Sequence, residues 1–268
     1  MDLKELLDFH YKERNTNLEL NLSKPDPLYV VKKNLSKIQN KAEMALICAL
    51  FSYGNAKCIV NTLLKFDFSL LDSKTNSRIL ESSFPLYRFQ SQQDSKLIFL
   101  AMHKIIQNGG IKPIFLDSYL KNENVIDGIN AMIFALRDTL ESTKLTRGLD
   151  FLIGRPSTNP KNSSPLKRWN MFLRWLVRKD NIDFGLWEGD VNRANLILPL
   201  DTHTFKLSRS LGILNRKSYD LQSAFEITNN LKYFCAFDPI KYDFALYRLG
   251  QEKLLLNPYE LNLKSPLN

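Results

Sequence analysis

The chain of 268 residues has little that punctuates or cross-links a fold: three cysteines, ten glycines and eleven prolines. Cys48, Cys58 and Cys235 lie far apart, with no C-x-x-C pair and no His/Cys cluster, so neither a disulfide framework nor a zinc site is expected, and buried, reduced thiols are. Scarce glycine and proline beside abundant Leu, Lys, Phe and Asn argue against an all-β sandwich, which needs many tight turns, and for long helices. No apolar run approaches the length of a bilayer span, and the opening MDLKELLDFHYKER is charged and has no signal core; no membrane association and a cytoplasmic location are the expectation. There is no internal repeat and no low-complexity tract, which disfavours a solenoid.

What is present is enough apolar residue, 44%, to bury one large core or two lobes. Helix-period spacing appears at 42–54, 55–66, 94–106, 125–140, 165–179, 202–212, 221–234 and 239–250. Asn55, Asp94, Ser164, Asp201, Asp220 and Asp238 stand at the starts of these segments as capping residues. Gly, Pro, Ser, Thr and Asn gather between Gly148 and Ser164, which reads as an irregular connection. The fold expected is all-α, with helical lobes over 35–145 and over 1–34 plus 146–268.

The net charge is +9 and the pI about 9.3, a balance that attracts polyanions because phosphate neutralisation releases condensed counterions. The excess is concentrated: from Lys144 to Lys179 nine basic residues face one acid, Asp150. Within that window Ser164-Pro165 reads as cap and first helical residue, which puts Lys167 and Arg168 in the first turn. The helix dipole is positive there, so a cation costs stability and the neutral, nucleophilic amine is favoured. Leu166, Trp169, Leu173 and Leu176 form the apolar stripe of this helix, and Lys167, Met171, Arg174 and Arg178 a second stripe whose plain reading is a solvated basic face. In LILPLDTHTFKLSRSLGIL, Asp201 stands at a helix start, where an N-cap is the commonest role for an aspartate. His203 reads as a packed residue or a phosphate contact.

PLDTHTFKLSRSLGIL resembles the segment of endonuclease III-type enzymes that carries their essential aspartate, and SSPLKRWNMFLRWLVRKD lies where that superfamily keeps its hairpin and catalytic lysine. The chain is thus similar to the helix-hairpin-helix base-excision DNA glycosylases over about 163–250, and in the first half through a helix, SYGN, helix arrangement. Its RWNMFLRWLVR core resembles an uncharacterised bacterial family grouped with them. The glycine-rich L-P-G-V-G hairpin is missing before Lys167, so a phosphate grip has to come from Ser163, Ser164 and the helix N-terminus. The separation of 34 positions from Lys167 to Asp201 is closer to that of the archaeal 8-oxoguanine DNA glycosylases. Three scattered cysteines cannot hold the four-cysteine iron–sulfur cluster of many relatives, so no cofactor and no metal is expected.

The resemblance implies a two-lobed, monomeric enzyme of base-excision repair that binds double-stranded DNA containing a damaged base and flips that base into a cleft between the lobes. Lys167 would attack C1′ and form a Schiff base, making the enzyme a bifunctional glycosylase (a hydrolase) and AP lyase. Ionised Asp201 would aid deprotonation of the lysine or stabilise charge developing on the sugar. Ser163, Ser164, Arg155, Lys161, Arg168, His203 and Lys206 are the expected DNA contacts, and Trp187 and Tyr53 the expected walls of the base pocket. Two alternatives compete: a non-catalytic DNA-binding protein on the same scaffold, and an unrelated helical interaction domain.

Overall fold

The computed structural model describes residues 2–140 and 145–252, and among them the chain forms thirteen α-helices and no β-strand. It divides into two compact units, one from Leu20 to Ser157, the other from the segments on either side, through Glu19 and from Thr158 onward. The sequence-based lobe boundaries at 34/35 and 145/146 are moved outward, for a packing reason. Helix α2 (Pro27–Asn34) packs on α3 (Lys41–Leu50) and α4 (Ala56–Leu63), and α9 (Arg147–Ile153) packs on α6 (Gln92–Gln107) and α8 (Val125–Thr139). Both therefore belong with the central unit. The "irregular" stretch after Gly148 thus begins as a helix capped by Thr146, whose side chain accepts from Leu149 N at 3.0 Å.

The Leu20–Ser157 unit is built around α3, in which every residue from Glu43 to Leu50 is buried. Phe51, Phe66, Phe84 and Phe99 meet beside it with ring centroids 5.0 to 6.4 Å apart. Helices α7 (Ile111–Asn122) and α8 pack closely because Gly128 has no side chain; a Cβ there would come within 2.5 Å of the Phe115 ring. The start of α7 has no capping side chain of its own, since Gly110 lies at φ +85°. Buried Glu43 supplies one from α3, accepting from Ile111 N at 2.9 Å. Short α5 (Ser77–Glu81) packs on α6. Ser91, and not Asp94, caps α6; Asp94 is the third helical residue and closes a capping box with it.

In the other unit α10 (Lys167–Val177) is buried on all sides from Trp169 onward. Trp175, Phe172 and Leu176 are each no more than 1% exposed, worth about 1.5–3 kcal/mol apiece in removed apolar surface. Helix α13 (Asp243–Gln251) packs on α11 (Thr202–Ser210) and on α1 (Leu3–Arg14), and α12 (Leu221–Lys232) on the 3-10 turns that precede α10 and α13. The first helix and the turn after it are fastened to the region of α13: Arg248 donates to the Glu19 carbonyl at 2.8 Å, and Asp8 accepts from Lys241 and from Tyr242, both at 2.9 Å.

Candidate active site

The chain reaches Lys167 through a tightly bonded turn. Asn159 accepts from Lys161 N at 3.1 Å through its side chain and from the Ser163 hydroxyl at 2.8 Å through its carbonyl. The Ser163 carbonyl then accepts from Leu221 N at 3.1 Å, which fixes the turn to the start of α12. Leu166 follows in the left-handed region, φ +51°, and α10 starts at Lys167 with no side-chain cap. Ser164 is exposed and does not cap the helix, and Lys167 is its first residue rather than its third. A left-handed leucine costs about 1–2 kcal/mol; the Leu166 side chain is 5% exposed, and its burial offsets that cost. Asn170 holds the turn from inside the helix, donating to the Pro165 carbonyl at 3.1 Å. Lys167 and Arg168 are half-buried.

Asp201 is the N-cap of α11: its carboxylate accepts from Thr204 N at 2.7 Å, in extended backbone (φ −108°, ψ 177°), and is half-buried. One oxygen is thus held by the helix end, which orients the group. Tyr219 donates to the Leu200 carbonyl at 2.8 Å beside it. Burial, and after it the charge of Asp201, raises the Tyr219 phenol well above its usual range. Asp243, 3% exposed at the start of α13, is pushed up to about 6 by burial against the pull of Arg174, and Asp201 adds to the upward shift. Helix α11 packs on α13, which sets these acids near each other, and the two approach closely at Gly250, where a Cβ would stand 3.0 Å from that of His203. The sequence pattern did not single out Asp243 or Tyr219. The available signal was an acid at the start of the α13 helix within KYDFALYRLG, whose buried face otherwise holds Phe244, Ala245, Leu246, Leu249 and the guanidinium of Arg248.

The expected basic face of α10 is not there. Met171, Arg174 and Arg178 are buried at 8%, 5% and 3% exposure. Arg174 bridges Asp183, at 3.2 Å, and Asp243. Arg178 contacts Asp183, Asp180 at 2.8 Å and Asp238 at 2.8 Å. Burial lowers the affinity of both guanidiniums for their protons, but Asp183 with Asp243 or Asp238 outweighs it and raises both. Asp238, expected as a cap, makes no cap bond and serves as this ion partner. These cations neutralise buried acids instead of facing solvent, so the local excess of charge on the surface is smaller than the sequence count. Lys144, the first cation of that count, lies outside the described residues.

Of the other expected DNA contacts, Lys161, His203 and Lys206 are exposed in the same unit as Lys167 and Asp201. Arg155 is exposed in the Leu20–Ser157 unit and pairs with Asp150 at 3.2 Å. Trp187 is 2% exposed and packs edge-on against Phe172 at 5.4 Å, so this structure holds it as core and not as a pocket wall. Tyr53 is half-buried in the Leu20–Ser157 unit within a cluster of Tyr87, Phe89 and Phe151. The expectation of three buried thiols is corrected: Cys48 is buried, Cys235 half-buried and Cys58 exposed. Among the described residues no group of three or more His, Cys, Asp or Glu is arranged to hold a metal ion, and no helix is long and apolar enough to cross a membrane.

No curated protein and no solved structure matches the chain. Residues 26–252 match the family described as "Protein of unknown function (DUF2400)", a span that reaches into both units and takes in every candidate site residue above, and the chain belongs to that family.

Proposed function

We propose that the protein is a base-excision DNA glycosylase with AP lyase activity, with Lys167 as nucleophile and Asp201 as its carboxylate partner. The observation that supports this most directly is the backbone at Leu166: a left-handed residue turns the chain into a buried helix immediately before Lys167. A left-handed position is what a glycine-rich turn provides, and here a buried leucine provides it. The lysine is thereby carried by the rigid helix α10, in the same unit as an aspartate whose carboxylate is oriented by its own helix.

The chemistry assigned to the pair is an attack of the Lys167 amine on C1′ of the damaged nucleotide. The N–C1′ bond forms and the glycosidic bond breaks, and the base departs with the bonding electrons and takes up a proton. Loss of the amine proton and opening of the sugar ring give the Schiff base, from which β-elimination expels the 3′ phosphate; water then releases the lysine. Asp201 stabilises positive charge on the sugar or receives the amine proton. Oxidised guanine is the lesion favoured by the resemblance.

The test is borohydride trapping of the full-length protein on duplexes carrying 8-oxoguanine, uracil or an abasic site, beside Lys167→Ala. A covalent adduct formed by the parent protein and lost in the variant is expected, and the trapped duplex names the lesion. Absence of trapping and of base release on every duplex, with salt-sensitive binding retained, would replace this reading by the non-catalytic DNA-binding one.

A further inference from the structure

Within the Leu20–Ser157 unit a tight turn presents an arginine and a phenylalanine at its tip. Tyr87 and Gln90 close it, each backbone N–H donating to the other's carbonyl at 3.0 and 2.9 Å, so that Arg88 (φ +52°) and Phe89 are the two residues of the tip. The support is rigid. Tyr87 donates its hydroxyl to the Tyr53 carbonyl, Tyr53 donates to the Gln90 side-chain oxygen, and Gln90 donates to the Gly148 carbonyl at 2.8 Å. A Cβ at Gly148 would stand 2.4 Å from the Phe89 carbonyl, so the approach of α9 to the turn requires glycine.

Three rings result. Those of Tyr53 and Phe89 are parallel within 5°, and Phe151 meets them edge-on at 4.8 and 5.1 Å. The Arg88 guanidinium lies 5.5 Å from the centres of both parallel rings. Phe89 and Phe151 are 58% and 42% exposed. The segments that build the patch, 53–57, 86–94 and 146–151, also carry Lys57 and Arg147, both exposed. Their two carboxylates are engaged: Asp94 is buried and accepts from Ser91 N and Thr146, and Asp150 pairs with Arg137 and Arg155.

From these we infer that the patch is a binding platform for single-stranded nucleic acid, on which an unpaired base stacks against Phe89 and Phe151 while Arg88, Lys57 and Arg147 meet the flanking phosphates. A flat π-face accepts any base, and cations without free carboxylates fit a polyanion rather than a neutral or basic peptide. The preformed turn lowers the entropy lost on binding. The site goes beyond the Lys167 chemistry and does not rest on it.

The experiment is fluorescence anisotropy of the full-length protein with labelled oligothymidine and with a blunt duplex of equal length, across a salt series. The single strand binds more tightly. Phe89→Ala weakens it about tenfold with the salt slope unchanged, in line with the loss of one base stack, and Phe89→Trp restores it. Phe151→Ala, a second exposed position, weakens it in the same sense. Arg147→Ala instead makes the slope shallower by about 0.7. The inference is overturned if both phenylalanine variants bind oligothymidine as the parent does, if strand and duplex weaken equally, or if no oligonucleotide binds and the patch covers a protein partner. Phe89-dependent binding by a protein that traps on no duplex leaves this site standing and removes only the glycosylase reading.

Discussion

Replacing Arg174 by methionine removes the cation that holds two buried carboxylates while keeping most of the side chain's volume. Side-chain exposures are 6% for Arg174, 0% for Asp183 and 4% for Asp243, so water cannot take over its role. Arg178 still reaches Asp183, which leaves Asp243 as the uncompensated charge. Breaking a buried pair from one side costs about 3–5 kcal/mol, a large part of the 5–15 kcal/mol typical of whole domains. The loss is pH-dependent in a defined direction. Asp243 already titrates at about 6, above its ordinary value of 3.8, so the folded state holds its proton more tightly and stability falls as pH rises through that interval. Without Arg174 the folded-state value climbs further. The variant's deficit is therefore smaller at pH 5 than at pH 8, by about 1.4 kcal/mol for each unit of that climb. Trp169, Trp175 and Trp187, all the tryptophans of the chain, lie in the Thr158-onward unit, so urea unfolding followed by tryptophan emission reports this unit alone. A deficit below about 1 kcal/mol at pH 8, or one equal at both pH values, would refute the assignment of Arg174 as the counter-charge of Asp243.

Other outcomes follow from the same geometry. Asp201→Asn keeps the cap on α11 and costs a few tenths of a kcal/mol, whereas Asp201→Ala costs about 1 kcal/mol; both abolish trapping on damaged duplexes, and trapping by the Asn variant at the parent's rate would reduce Asp201 to a cap. Gly128→Ala drives a methyl into the Phe115 ring and destabilises the Leu20–Ser157 unit by about 1–3 kcal/mol, read as a lower midpoint in thermal unfolding followed by helical circular dichroism. In acid, Asp150 loses its contribution: its hydrogen bond from Arg137, and next that from Arg155 working against burial, hold it below the ordinary 3.8. Its stabilisation is complete above the unfolded value and disappears as pH falls through the lowered one, and Asp150→Asn should flatten the acid limb of hydrogen-exchange protection in α9.

The segments most legible in the sequence are those whose signals are local. Asn55, Asp201 and Asp220 cap α4, α11 and α12 through bonds to backbone N–H groups two or three residues on, as their position before an apolar-periodic run implies. Helix α7 carries no such local signal at its start, because it borrows its cap from Glu43, 68 residues earlier. At Ser164 the local signal was overridden: burying Leu166 moved the start of α10 onto Lys167 and left the serine exposed.

The candidate site divides along the same line. By itself the sequence determined an all-helical chain, the lysine and the aspartate at two helix starts, and a strongly basic window, because capping, periodicity and net charge are properties of neighbouring residues. Only the tertiary structure decided which of those charges face solvent: Arg174 and Arg178 meet Asp183, Asp238 and Asp243, up to 69 residues distant, and are withdrawn from the surface. The same holds for Trp187, turned inward against Phe172, and for Phe89 and Phe151, apolar residues left outward by a turn that only Gly148 lets α9 approach. For these residues burial is settled by contacts between segments remote in the chain, which the local pattern around each does not carry.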